Sequence, residues 1–535
     1  MQTQLEPKWS KLFLRTGLIA SISVLTACGS SGGTKSEPPT ASSSASSVAS
    51  SSSTSSDASS SIASSASSSS VSSGVASSSS EAGGCAPDVA ATIGTTTTRL
   101  EAEHYSSCSE QSKTTEADDA LSGGLAISDT GSSLDYRVDV QTSGLYTVTY
   151  RARASNSSSR WALAAGGQTI SNSEVELAAS EAPEWQDVST AAVYLTDGPQ
   201  TIALNFAQAG AALDYLELHY DEPTQYTPHE AVAQMGIGIN LGNTLDAYPN
   251  EGDWAPAAQE SYLIAFADAG FGHVRIPATW DNHTATSEPY AVDTSRMDRT
   301  EQVVDWALAQ GYYVVLNAHH EIWLKQDYQN AANRERFDAI WTQIAERFAH
   351  KSARLVFEIL NEPNGMTPAQ SNDLNPRILD IIRANNPDRL VVIAGSGYTP
   401  VDTLADIKLP ADNKLIANFH SYDPWEFAGQ CTRGWGTTAD KNELENVYQT
   451  ASTWAQTNEV PVTVNEFGAA HEDYEHPENI CNQADRLEYL RAHVNFATQY
   501  GIAATVWDDN GSFGVYNREQ GSWGPEKDIL VAPNP

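Results

Sequence analysis

Two glutamates, Glu362 and Glu466, each close an apolar run, in the strings Asn361-Glu362-Pro363 and Asn465-Glu466-Phe467-Gly468. Two carboxyl groups at one site can do what cleavage of a glycosidic bond requires, one giving a proton and the other acting as nucleophile or base. Other polar residues close neighbouring runs: Asn243, Arg275 shortly before Trp280, His319-His320, His420-Ser421-Tyr422 and Trp507-Asp508. One such Glu reads equally well as a surface carboxylate, and one such His as a satisfied core residue. The set argues for a site. Competing chemistries fail on spacing. His320-Glu321 lacks the second His of a zinc-protease helix. Gly395-Ser396-Gly397 is not an esterase elbow, and Gly236-x-Gly238 has no third glycine at Leu241.

The elements that must position these residues are eight apolar runs: Met235–Asn243, His273–Trp280, Tyr313–His320, Leu355–Pro363, Leu390–Gly395, Lys414–Pro424, Val460–Gly468 and Ala503–Gly511. Helical patterns such as Glu335–Trp341 and Arg486–Arg491 separate them. Eight strands alternating with helices over about 300 residues predict a (β/α)8 TIM barrel rather than a doubly wound sheet, which does not need eight repeats. Active sites of such barrels sit at the C-terminal ends of the strands. Glu362 on the fourth strand and Glu466 on the seventh then face each other across the mouth.

Upstream, short alternating runs (Leu134–Val138, Gly144–Ala152, Ala192–Leu195, Thr201–Phe206 and Leu213–Leu218) predict a β-sandwich over 85–221. A short linker, 222–229, joins it to the barrel domain, 230–535. Before the sandwich, 29–84 is a Ser-rich disordered linker: 26 of the 40 residues from Ala41 to Ser80 are Ser, too little apolar surface to offset ordering. Residues 1–28 read as an export signal, with Lys8, Lys11 and Arg15 ahead of a short apolar run that stops at Cys28. Five cysteines are present. Export implies oxidising conditions, so pairing within each folded region gives Cys85–Cys108 and Cys431–Cys481 as expected disulfides. Over 535 residues, 67 Asp and Glu face 30 Lys and Arg, a net charge of −37. Nothing there offsets phosphate repulsion, which argues against a nucleic-acid partner.

The residues quoted carry several resemblances. Ile276-Pro277, Asn361-Glu362-Pro363 and Asn465-Glu466-Phe467-Gly468, with Ile239–Asn243 and Phe513–Tyr516, resemble glycoside hydrolase family 5, whose best-known members are endo-β-1,4-glucanases. The resemblance implies Glu362 as acid/base and Glu466 as nucleophile of a retaining reaction, with Arg275 and Tyr422 contacting Glu466. It implies Asn361 on the sugar 2-OH, His319, His320 and His420 around the reacting sugar, Trp507 beneath it, and Asn243 and Asp246 at the neighbouring sugar. Trp323, Trp425 and Trp435 are candidate outer platforms. No cofactor is expected for catalysis. Leu100–Tyr105, Gly144–Val148 and Leu213–Leu218 resemble carbohydrate-binding modules of families 6 and 35. That resemblance implies a structural Ca²⁺ on Glu101, Glu103 and Asp214 and a sugar-stacking Trp185, although Ser132-Ser133 stand where an aromatic is common. Leu25-Thr26-Ala27-Cys28 resembles a lipobox, implying a lipidated Cys28 and, with Gly29 next, an outer-membrane lipoprotein at the bacterial surface. The Ser-rich stretch resembles the spacers of plant-polysaccharide-degrading enzymes.

The expected partner is therefore a β-1,4-linked plant polysaccharide, cellulose or a β-glucan first and mannan or xyloglucan second, with the membrane touched only through the N-terminal lipid and the protein a monomer. A reading of a different class is a non-catalytic lipoprotein that captures polysaccharide in the barrel cleft. Both glutamates argue against it, since a pure binder needs neither.

Overall fold

The computed structural model describes residues 90–108, 113–115, 124–127, 130–182 and 184–531. The expected signal, Cys28, the Ser-rich linker and the Cys85–Cys108 pairing lie outside the described residues. Eight parallel strands close into a barrel: β1 Ile237–Asn240, β2 His273–Ile276, β3 Tyr313–Asn317, β4 Leu355–Glu358, β5 Val391–Ala394, β6 Leu415–Ser421, β7 Val462–Phe467 and β8 Ala503–Val506, with β8 pairing back onto β1. Strands β2 to β8 are buried along their whole length, because helices cover one face and the barrel interior the other. This is why they read as unbroken apolar runs. The first run is an exception at its start: Met235 ends helix α1 (Pro228–Met235), and Gly236 (φ +55°) makes the turn into β1.

Register decides what meets in the barrel. Asn240 lies beside Arg275, Asn317 beside Glu358, and His420 beside Glu466. Between β6 and β7 the pairing jumps from Phe419–Val464 to His420–Glu466, leaving Asn465 as an extra residue. Such a bulge re-aims the side chains after it. Here it brings Glu466 opposite His420 at the mouth.

Residues 91–220 form two seven-stranded sheets packed as a sandwich. One runs Ala91–Ile93, Ser133–Val140, Gly198–Gln208, Ser159–Ala165, Val175–Leu177 along its main path, and the other Trp185–Ser189, Gly144–Arg153, Ala212–Tyr220, Leu125–Ile127, Lys113–Thr115. Gly144–Arg153 alternates strictly between buried and half-buried positions, the pattern of a strand with one face on a core. Tyr150 meets Trp161 edge-on at 5.4 Å in that core.

The sandwich is joined to the barrel through buried contacts. Glu222, in the segment expected as a linker, is buried and bonded to Ser352 and Arg354. Tyr226 packs edge-on against Tyr313 at 5.2 Å. Thr227 and Glu230 form a reciprocal cap at the start of α1, whose Ala231, Val232 and Met235 cluster with Tyr313, Val356 and Ile416. From the sandwich, Asp197 reaches Lys351 at 2.6 Å and Tyr194 donates to Asp305 at 2.9 Å. Lys351 also pairs with Glu301 and Asp305 on helix α2 (Thr294–Ala309). His350–Arg354 leads directly into β4, so the sandwich docks at the N-terminal end of the barrel, opposite the mouth. No helix among the described residues is long and apolar enough to cross a membrane.

Candidate active site

At the mouth, Glu362, His420 and Glu466 each bring one ligating atom within 4.8 Å of the others. A carboxylate oxygen of Glu362 thus lies within 4.8 Å of one of Glu466. Inverting hydrolysis needs about 6.5–9.5 Å to seat a water between its carboxyl groups, whereas direct attack by one of them needs about 5–5.5 Å. So close an approach of the two oxygens is compatible with direct attack by one of the carboxylates. The two side chains differ in exposure, 19% for Glu362 and 7% for Glu466. Glu362 follows β4 in the left-handed region (φ +38°), a strained conformation for a side-chain-bearing residue and one that clusters at functional sites.

Glu466 is held from three directions. Arg275 Nη1 donates to its Oε1 at 2.8 Å, Tyr422 donates its hydroxyl to Oε2 at 3.0 Å, and His420 Nδ1 stands 3.6 Å from the same oxygen. Burial raises its pKa above the ordinary carboxylate value; His420 and Arg275 act against that, and Glu362 adds to it. His420 Nδ1 is also 3.0 Å from Glu362 Oε1. Burial works against charging His420, but Glu466 and Glu362 outweigh it and raise its pKa. Around this pair, His319 is stacked parallel to Trp507 at 6.0 Å and lies edge-on to His320 at 4.4 Å. Both histidines are held neutral: burial first, then neighbouring positive groups, push His319 well down and His320 to about 3. Asn317 Nδ2 lies 3.2 Å from His319 Nδ1 and Asn361 Nδ2 lies 3.4 Å from its Nε2, so an amide group faces each ring nitrogen. Gly242 has no side chain because a Cβ there would strike the Trp507 ring at 2.9 Å.

The description "Cellulase (glycosyl hydrolase family 5)" matches residues 235–512, and "Carbohydrate binding module (family 6)" matches 101–220. The chain belongs to glycosyl hydrolase family 5. Endoglucanase H of Acetivibrio thermocellus is 43% identical over 305 residues, 56% of this chain and 33% of that protein. A hyperthermophilic endo-β-1,4-glucanase solved in complex with substrate is 30% identical, with a TM-score of 0.54 over 58% of this chain and all of that one. Thermotoga maritima Cel5A solved in complex with mannotriose is 29% identical, with a TM-score of 0.54 over 57% and 99%.

Within the family 5 barrel, the remaining expected residues divide. Asn361 is buried, with its carbonyl oxygen accepting from Arg275 Nη2 at 2.7 Å, which turns its amide NH₂ away from Arg275. Asn243, at φ +57°, donates to Asp509 O at 3.1 Å. Asp246 is fully buried and already accepts the backbone N–H groups of Asn243 and Thr244, so it shapes the loop that presents Asn243 rather than offering a free carboxylate. Of the three outer tryptophans, Trp425 is 48% exposed and stacked on Phe513. Trp323 is half-buried, donating to Glu321 under the Arg336 guanidinium. Trp435 is buried between Phe427 and Tyr489, a core residue. Cys431 and Cys481 are bonded to each other, tying the loop after β6 to that after β7.

Three features of the site were not anticipated. Trp254 lies 5.6 Å from His320, and Tyr398, half exposed, faces Glu362 closely enough that this carboxylate, after burial, raises its pKa. The third is Glu358, fully buried and bidentate to Arg275, at 2.6 Å to Nε and 3.1 Å to Nη2. A lone acid inside Leu355-Val356-Phe357-Glu358-Ile359-Leu360 was the available signal.

In the family 6 module, Trp185 begins a sheet-edge strand opposite Arg153, whose guanidinium lies 5.0 Å over its ring. The pairing of Thr98–Glu101 with Ala212–Tyr220 brings Glu101, Glu103 and buried Asp214 together. Burial raises the pKa of Glu103, and the charges of Glu101 and Asp214 add to the shift; its Oε2 is buried without a hydrogen bond.

Proposed function

We propose that the protein is a retaining endo-β-1,4-glucanase. The observation that carries this is the short Glu362–Glu466 separation, with Arg275 and Tyr422 both donating to Glu466. Glu466 attacks the anomeric carbon while Glu362 protonates the departing glycosidic oxygen. The glycosyl ester on Glu466 is then hydrolysed by water that Glu362, now ionised, deprotonates. As negative charge leaves Glu466, Tyr422 and Arg275 exchange a carboxylate for an ester oxygen. The His319 ring and the Asn361 amide, 3.4 Å apart, are placed to hold the sugar hydroxyls, and Trp507 offers an apolar face.

The full chain is expected to release reducing ends from carboxymethylcellulose and mixed-linkage glucan with a fast fall in viscosity. Glu466→Gln and Glu362→Gln should lower the rate by at least about 10²-fold. Activity persisting in both variants would remove these residues from the mechanism. A β-mannanase is the second reading, favoured by a structural relative solved with mannotriose; release mainly from galactomannan would establish it.

The match of the module supports sugar binding there, with Trp185 as its candidate platform. Glu101, Glu103 and Asp214 suit Ca²⁺, a hard cation that takes carboxylate oxygens and would tie the first strand of that sheet to the last. A melting temperature unmoved by EGTA would remove the calcium. Export and lipidation at Cys28 rest on the basic, apolar and lipobox-like run. Membrane fractionation of Cys28→Ala tests this, and an unchanged membrane fraction would overturn it.

A further inference from the structure

Arg275 uses all five of its N–H donors. Nε and Nη2 go to Glu358, Nη1 to Asn240 Oδ1 and Glu466 Oε1, both at 2.8 Å, and Nη2 also to Asn361 Oδ1. The cation is fully buried, so water screens none of its charge. Left alone, an unscreened guanidinium in contact with Glu466 would stabilise that carboxylate strongly and weaken it as a nucleophile. Glu358 stands on the other side of the fork, itself fixed by Asn317 Nδ2 on Oε2 and Asn418 Nδ2 on Oε1, each at 3.2 Å. Resting on the reading of Glu466 as the nucleophile, we propose that Glu358 is a positioning residue: it locks the Arg275 fork and offsets most of its charge, so that Arg275 orients Glu466 and Asn361 without over-stabilising the attacking carboxylate.

The titratable and charged groups facing Glu466 are Arg275 from β2, Lys325 beyond β3, Glu362 beyond β4, and His420 and Tyr422 from β6 and its end. Those facing Glu358 are Arg275, His420 and Lys325. None of the others compensates for a lost Glu358 charge, since Lys325 is a cation, His420 is drawn toward its charged form, and Glu362 is already counted against Glu466. In Glu358→Gln one acceptor for Arg275 survives and the negative charge goes. The acid limb of kcat/KM should move down by about one pH unit, the lower end of what a charge within about 4–6 Å does, and kcat at the plateau should fall. Glu358→Asp, which restores charge, should return the limb toward the wild-type position.

Asn418→Ala makes the opposite prediction and guards against a misfolded Gln variant. Stripping a donor from Glu358 strengthens its hold on Arg275, so the limb should move up. Full pH–rate profiles of the three full-chain variants on a soluble glucan decide the matter, with melting temperature measured alongside. A limb that stays put in every folded variant, however much stability is lost, makes Glu358 merely structural and overturns the proposal. Should Glu466→Gln remain active, the reading of the nucleophile fails instead, which is a separate result.

Discussion

Tyr422 is the residue where one atom can be removed with least disturbance, because its hydroxyl donates to Glu466 Oε2 while its ring packs edge-on against Trp425 and Phe513. Tyr422→Phe keeps those ring contacts. A hydrogen bond to a charged acceptor contributes about 1.5–3 kcal/mol, so kcat/KM should fall about ten- to a hundredfold. The loss also destabilises the Glu466 carboxylate, so the acid limb should rise, opposite in sign to Glu358→Gln. A limb that falls would mean that Tyr422 does not donate to Glu466. At this scale the sequence showed which residue types close the strands, including Glu362, Glu466, Arg275 and Tyr422. It did not show which of them point outward. Asp246 sits in the same kind of position as Asn243, yet its carboxylate turns back onto two backbone N–H groups. Glu358 escaped notice because its partner lies two strands away and only closure of the barrel brings them together.

Strand β2 carries a buried histidine whose titration should be visible in the stability of the whole barrel. His273 Nδ1 lies 2.9 Å from Met235 O and Nε2 2.7 Å from Thr505 Oγ1, and Gly238 has no Cβ because one would strike the ring at 2.4 Å. Burial pushes its pKa down to about 4, the Met235 carbonyl only partly opposing. An unfolded histidine titrates near 6.5, so below that pH the unfolded chain takes a proton that the fold refuses. The native state is therefore unaffected by this group above pH 6.5 and loses stability as the pH falls to about 4, by about 3 kcal/mol in all. His273→Gln can keep both hydrogen bonds and cannot charge. Its unfolding free energy, measured by denaturant from pH 7 to 4.5, should fall less steeply than that of the wild type; parallel curves would refute the idea. Eight strands were legible because both faces are buried and the apolar runs unbroken. The bulge at Asn465 was not, since an extra residue in an apolar strand leaves no mark until its neighbours are paired.

Across the whole molecule, the composition change after Asp221 marks where one fold ends and the next begins, but it conceals that the two are welded. The weld depends on Lys351, Asp197, Glu301 and Asp305, which lie far apart in sequence and meet only when both folds are complete. Lys351 is 2% exposed, and Tyr194 OH donates to the same Asp305 from the sandwich side. A domain joined by a loose tether melts independently, whereas one whose partner's buried cation depends on it does not. Calorimetry of the full chain should therefore give one cooperative transition for sandwich and barrel. Lys351→Met leaves Asp197 and Asp305 without their cation while Glu301 keeps Arg347, and removing one partner from a buried ion pair costs about 3–5 kcal/mol. That loss should lower the transition and split it, with the sandwich melting first, because its own core is the smaller of the two. Activity on a soluble glucan should persist until the barrel melts, since the weld lies at the end opposite Glu362 and Glu466. Two transitions in the wild type would show that the acid–lysine cluster does not couple the domains, and the expected linker at 222–229 would then behave as one despite its buried Glu222 and Tyr226.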